Sequence, residues 1–334
     1  MRRAPIALLL SLLAIPSLAQ EAVTLPFIPV TADSINSARL SDVVQPADPE
    51  AAPEERHPVP AIARLQILLD RAGASPGVID GFDGDNVRKG VIAFELMHGL
   101  PADGIIDPEV TSALETGDPV IGEYEIIADD LAAIGPPIPK DYAEMAQRKF
   151  LGYSSIEEEL AERFHMDIDL LKALNPNAGF AAGETIFVAA YGPDLEGDVL
   201  RIEADKGLRQ VRAYGEGDRL IAAYPATIGS EDNPSPSGTH EIKGVATMPT
   251  YTYNPKVNFQ QGENTEVLTI PPGPNGPVGS IWIDLSEPTF GIHGTPEPSL
   301  IDKTGSHGCV RLTNWDANEL AKMVKPGVPV EFVG

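Results

Sequence analysis

The sequence predicts a multidomain α+β chain: a small three-helix domain, a second small α/β unit, and a β-rich C-terminal domain. Three observations carry this. Apolar residues recur at helical spacing from Ile62 to Leu114. A second helical pattern ends in the strand-like run Thr185-Ile186-Phe187-Val188. From Val199 the apolar period changes to two. The length of 334 residues suggests about two domains, and the pattern resolves them into three modest ones. With 43% hydrophobic residues, each can bury a core of its own.

The chain opens with Arg2 and Arg3, an apolar run from Ala4 to Pro16 and the small-residue pattern Ser17-Leu18-Ala19. Residues 1–19 are therefore expected to be a signal peptide, with an apolar run too short for a membrane span. No later stretch reads as a transmembrane anchor, so the mature protein is expected in the periplasm or cell envelope. Residues 20–57, rich in Ala, Pro, Asp and Glu, read as a flexible linker. The net charge of −25 argues against a nucleic-acid surface.

From Val59 the helical texture begins. Ile62, Leu65 and Leu69 share a face, and Gly73 ends that helix. A second helix follows Asp83 to Asp85, with Val87, Val91 and Phe94 on one side. Asp107-Pro108-Glu109 starts a third, with an N-cap followed by proline at the first helical position. Residues 118–147, with Pro136, Pro137 and Pro139, read as a connector. In residues 148–191, Ile156, Leu160 and Phe164 line one helix, and Leu170, Leu171 and Leu174 line another that ends at Asn175-Pro176. From residue 197 onward, strands are expected around Val199–Ala204, Val211–Ala213, Leu220–Tyr224, Ser280–Asp284, Phe290–His293 and Pro329–Val333. Gly215-Glu216-Gly217-Asp218 is a hairpin turn, and Asn314–Met323 is a helix. Between Met248 and Gly279 lies a long Pro-, Gly- and Asn-containing segment of the kind that serves as a lid.

Cys309 is the only cysteine. It has no intramolecular partner and is open to four readings: an intermolecular bridge, a metal ligand, an inert core thiol or a nucleophile. Its setting, Ser306-His307-Gly308-Cys309-Val310-Arg311, is polar and contains glycine, unlike a core run. A zinc site from His293, His307 and Cys309 has suitable ligand types but no evident fourth ligand. A nucleophilic thiol needs a base, because the thiolate is what attacks. His293 ends a predicted strand sixteen residues before Cys309, and a returning loop can bring the two together. Gly308 permits a sharp turn, and backbone N–H groups around Gly308 and Cys309 can face a developing oxyanion. Arg311 can grip a carboxylate through two parallel hydrogen bonds.

Three family resemblances follow. Residues 58–117 resemble a three-helix peptidoglycan-binding domain, in L-Q-x-L-L-x-x-x-G from Leu65, the G-x-I-D-G turn from Gly77, K-G-V-I-A-F-E from Lys89 and G-L-P-A-D-G-I-I-D-P from Gly99. Residues 148–191 resemble a LysM module, a glycan binder, in the run from Leu160 to Pro176. Tyr153-Ser154-Ser155 stands where that family has Gly-Asp, which leaves glycan binding and a spacer role both open. Residues 197–334 resemble the L,D-transpeptidase (YkuD-like) catalytic domain, in Pro236-Ser237-Gly238-Thr239, Ile292-His293-Gly294-Thr295 and Ser306-His307-Gly308-Cys309-Val310-Arg311-Leu312.

The last resemblance implies Cys309 as nucleophile, His293 as general base and Gly294 as the carbonyl that orients its ring. It places His307, Gly308 and Arg311 around the oxyanion and carboxylate, and Ser306 before the second histidine. The implied reaction releases D-alanine from a peptidoglycan tetrapeptide, leaves a thioester on Cys309 and passes the acyl group to an amine. It needs no cofactor or metal. The acceptor is a second stem peptide, water, a D-amino acid or the lysine of an envelope protein. A thiol hydrolase of carboxypeptidase type and a non-catalytic wall-binding protein are the alternatives.

Overall fold

The computed structural model describes residues 29–43, 57–257 and 259–334. The expected signal peptide and most of the expected linker lie outside them.

One part of the expected linker is structured. Helix α1 (Ala32–Ser37) is capped by Thr31, whose hydroxyl accepts from Ser34 N–H at 3.0 Å. Ile35 and, beyond the helix, Leu40 are fully buried. Asn36 Oδ1 accepts from the backbone N–H groups of Val120 and Ile121 at 2.8 and 2.9 Å. Residues 29–43 are therefore a docked strap rather than a free tether. Two apolar anchors and one amide hold it, and Pro- and acid-rich surroundings hide them in sequence.

Helices α2 (Pro60–Arg71), α3 (Asp85–His98) and α4 (Pro108–Leu114) form the expected three-helix unit. Asp107 caps α4 as its sequence implies, accepting from Glu109 and Val110 N–H at 2.9 and 2.8 Å. The expected connector is not structureless. It supplies strand β1 (Ile121–Glu125) and the short helices α5 (Ala128–Ala132) and α6 (Tyr142–Met145). After α7 (Ile156–Arg163) and α8 (Ile168–Leu174), strand β2 (Thr185–Ala189) returns antiparallel to β1, with Ile121 opposite Ala189. The middle unit thus starts near residue 120, well before the expected boundary at 148. β1 is short and half-exposed, and its partner lies some sixty residues on, so local pattern could not reveal it. The strap, the three-helix unit and the middle unit share one continuous hydrophobic core.

The C-terminal domain contains every strand and the helix expected of it, and its main sheet also has three strands that were not expected, Thr227–Ile228, Gly238–Thr247 and Val310–Arg311. Strands β3 (Arg201–Asp205), β4 (Gln210–Tyr214) and β5 (Leu220–Pro225) form a meander with Ile202, Ala204 and Val211 inward. β6 (Thr227–Ile228), β7 (Gly238–Thr247), β10 (Ile281–Leu285), β11 (Gly291–His293), β12 (Val310–Arg311) and β13 (Pro329–Val333) complete a nine-stranded sheet. Its order is β5-β4-β3-β13-β7-β10-β11-β12-β6. Helix α9 (Asn314–Met323) packs Ala317, Leu320 and Met323 into the core. Within the predicted lid, β8 (Tyr251–Tyr253) and β9 (Leu268–Ile270) pair as a small antiparallel sheet. Tyr253 and Ile270 bury against Leu151, with Tyr142 of α6 packed onto them. This segment therefore rests on the middle unit. That unit also abuts the three-helix unit, since Ile79 N–H donates to His165 O at 2.8 Å. The three-helix unit joins the sheet edge, where Ser75 N–H donates to Ala223 O at 2.9 Å.

Candidate active site

Two short neighbouring strands build the site. β11 and β12 run parallel, with Ile292 opposite Val310 and His293 opposite Arg311. Side chains alternate across a strand. Ile292 and Val310 fill the core, so His293 and Arg311 take the other face. Trp282 is the cross-strand partner of His293 from β10, and its ring stacks on the imidazole with centroids 5.6 Å apart. Cys309, two residues before Arg311, opens into the same cleft of about 550 Å³. Tyr142 from α6 and Tyr251 and Phe259 from the lid segment close its far side. Cys309 is a free thiol, and its sulfur lies 3.7 Å from the carbonyl of Thr289.

His293 is buried, and its Nδ1 lies 2.7 Å from the carbonyl oxygen of Gly294. A carbonyl only accepts, so Nδ1 carries the proton and Nε2 is left as the acceptor. Burial, helped by the Arg311 charge, lowers the imidazole to about 4. Burial raises the Cys309 thiol, against the opposing pull of the Gly291 N–H and Arg311. At neutral pH the resting pair is therefore a neutral thiol and a neutral imidazole. Burial also lowers Arg311, with Glu297 opposing it, but a guanidinium stays charged. Arg311 lines the cleft as its cation.

Ser306 holds the loop. Its buried hydroxyl donates to Cys309 O at 2.6 Å and accepts from Gly308 N–H at 3.3 Å. The Gly308 N–H thus meets the Ser306 hydroxyl in this arrangement. Gly308 itself has φ +104°, and a Cβ there would stand 2.6 Å from the Phe290 ring and 3.2 Å from Pro234 O. Gly308→Ala should cost about 1–3 kcal/mol from backbone strain alone, and it should shift the cysteine loop. A lowered melting temperature with reduced turnover is expected; a melting curve and activity equal to the parent's would refute this. His307 is exposed at the cleft mouth and stacks on Phe259, with centroids 3.7 Å apart.

All seven residues singled out from sequence lie in or beside this cleft: Cys309, His293 and Arg311 on one face, Ser306, His307 and Gly308 in the loop, and Gly294 behind the imidazole. Trp282, Tyr142 and Phe259 were missed. Trp282 was findable, since it sits on a predicted strand; Tyr142 and Phe259 arrive through tertiary packing. Among the described residues, no three His, Cys, Asp or Glu side chains converge as metal ligands.

The fold and site define a class, β-rich domains that bring a free thiol, a buried histidine and an arginine to one cleft, and comparison with known proteins identifies the family. The profile of the "YkuD: L,D-transpeptidase catalytic domain" matches residues 200–332. That of the "Putative peptidoglycan binding domain" matches residues 59–114. The chain is 34% identical over 179 residues to the "Putative L,D-transpeptidase YkuD" of Bacillus licheniformis, covering 52% of this chain and 92% of that protein. The protein of the same name in Bacillus subtilis is 29% identical over 173 residues, 51% of this chain and 89% of its own length. The "Probable L,D-transpeptidase YbiS" of Escherichia coli is 30% identical over 123 residues, 36% of this chain and 40% of that one. The chain belongs to the YkuD family of L,D-transpeptidases. It is a transpeptidase with a peptidoglycan-binding domain, and among the described residues no helix is long and apolar enough to cross a membrane.

Proposed function

We propose that this chain is a cysteine L,D-transpeptidase of the cell envelope that cross-links peptidoglycan stem peptides. The observation that supports it most is the placement of His293 and Arg311 on one side of two adjacent parallel strands, with Cys309, just before the second strand, lining the same cleft. Cys309 Sγ attacks the carbonyl carbon between the L-centre of the diamino acid and the terminal D-alanine. Its proton passes to Nε2 of His293. The tetrahedral adduct collapses, the C–N bond breaks, and the imidazolium returns the proton to the departing D-alanine amine. A thioester remains on Cys309. The side-chain amine of a second stem attacks it, His293 takes the amine proton, and the thiolate leaves and is reprotonated. Arg311 anchors a donor carboxylate as a bidentate cation.

On this reading residues 1–19 export the chain to the periplasm or envelope. Residues 58–117 hold it to the wall. The middle unit is a LysM-like glycan contact, and residues 197–334 carry the chemistry. Chromatography of products from purified tetrapeptide fragments tests the reaction. A cross-linked dimer with free D-alanine is expected. Tripeptide alone would make the chain a hydrolase, and unchanged substrate would refute the reading.

A further inference from the structure

The support behind His293 does not come from the C-terminal domain alone. The carbonyl of Gly294 holds the imidazole, and Gly294 packs against the side chain of Asn314 at the start of α9. A Cβ on Gly294 would stand 2.1 Å from Asn314 Oδ1, and Gly279, at φ +62°, approaches the same oxygen just as closely. The Asn314 amide is buried and fully engaged. Oδ1 accepts from Ser280 N–H at 3.0 Å, while Nδ2 donates to Pro274 O at 3.1 Å and to Glu162 Oε2 at 2.9 Å. Glu162 lies on α7 of the middle unit and is 7% exposed. One turn earlier, Glu158 accepts from Asn275 Nδ2 at 2.5 Å, so the same helix grips the catalytic domain twice.

An amide has two orientations. In the observed one, its oxygen meets a donor and its two hydrogens meet two acceptors. Turned over, its NH2 would face the Ser280 N–H and its oxygen would face Pro274 O and Glu162. The Ser280 N–H and Pro274 O favour this orientation, and the oxygen that Glu162 offers to Nδ2 reinforces it and holds the amide against Gly294.

We propose that Glu162 is a positioning residue for the catalytic pair: Glu162 orients Asn314, Asn314 seats Gly294, and the Gly294 carbonyl fixes the Nδ1–H tautomer of His293. The middle unit is then part of the catalytic apparatus and not only a wall contact. This rests on the reading of His293 as base given above. Burial, against the opposing bond from Asn314, pushes Glu162 up to about 8. At neutral pH it is largely the neutral acid, which glutamine mimics.

The test uses the full chain and three variants, with rates expressed per folded enzyme. Glu162→Met removes the acceptor, and Glu162→Asp withdraws it by one methylene. Each should lower kcat for D-alanine release about tenfold or more, with KM within about twofold, because the loss is one of orientation. Glu162→Gln should return kcat to within about threefold of the parent, the size expected when the hydrogen bond is kept. The Nδ1 nitrogen shift of His293 should move in the Met and Asp variants and not in the Gln variant. Parent-like kcat and Nδ1 shift in the Met and Asp variants would overturn the proposal, as would a loss confined to KM or a Gln variant as slow as the Met variant. Should Glu162→Met fail to fold, Glu162→Asp decides. A parent enzyme that releases no D-alanine would instead refute the assigned chemistry, and the His293 shift would still report on Glu162.

Discussion

Replacing Cys309 with alanine is expected to abolish D-alanine release from a tetrapeptide while leaving the melting temperature close to the parent's. The sulfur opens into the cleft, with a long contact of 3.7 Å to Thr289 O and the Gly291 N–H as its other polar neighbour. Its removal therefore leaves no large core cavity of the kind that costs several kcal/mol. The chemical consequence is total, since no other cysteine exists in the chain and alanine offers no nucleophile. Cys309→Ala with substantial residual release would place the chemistry on another residue. A large fall in melting temperature would make the thiol a structural one.

Replacing His293 with alanine is expected to slow acylation by about 10²–10⁴-fold, the range that a positioned general base supplies. The resting thiol is neutral and raised by burial, so little thiolate forms unaided and the base is needed at each attack. The pH dependence follows from the same environment. The imidazole accepts a proton only when neutral, and burial with Arg311 holds it at about 4. Acylation by the parent should therefore hold up through mildly acidic pH and fall only as pH drops through about 4. A steep fall centred near 6.5 would mean that His293 is not held in the buried, neutral state. Stability carries a related signature. An unfolded histidine binds its proton near 6.5, so between 6.5 and about 4 the unfolded chain holds more protons than the folded one. This histidine thus withdraws stability as pH falls through that window, and His293→Ala should flatten that part of the curve. Glu162, raised to about 8, acts in the opposite sense: its folded form binds the extra proton, so its contribution is lost as pH rises toward 8.

Sequence and structure agree best where information is local. The alternation through Ile202 and Ala204, the Asp107-Pro108 cap and helix Asn314–Met323 each follow from neighbouring residues, and each is found as expected. The thiol, its histidine and its arginine were legible because a strand end, a returning loop and a glycine turn lie within twenty residues. What stayed hidden depends on distant partners. β1 is too short and polar to announce itself until it pairs with β2. The strap around Ile35 is ordinary linker composition until the core of α2 covers it. Tyr142 reaches the cleft only because the lid segment folds back on α6. Glu162 looks like one more solvated carboxylate in an acidic helix, and only packing shows it bound to Asn314. The contact of the Gly308 N–H with Ser306 Oγ likewise depends on the loop's fold and has no signal in the sequence.

The central claim is that Cys309 carries the acyl group. Intact-protein mass spectrometry after mixing the enzyme with tetrapeptide, followed by mapping of the modified peptide, tests it most directly. The account predicts an adduct equal to the donor minus D-alanine, attached through Cys309, labile to hydroxylamine and absent from Cys309→Ala. An enzyme that releases D-alanine with the adduct on another residue, or with an undiminished adduct on Cys309→Ala, would contradict it.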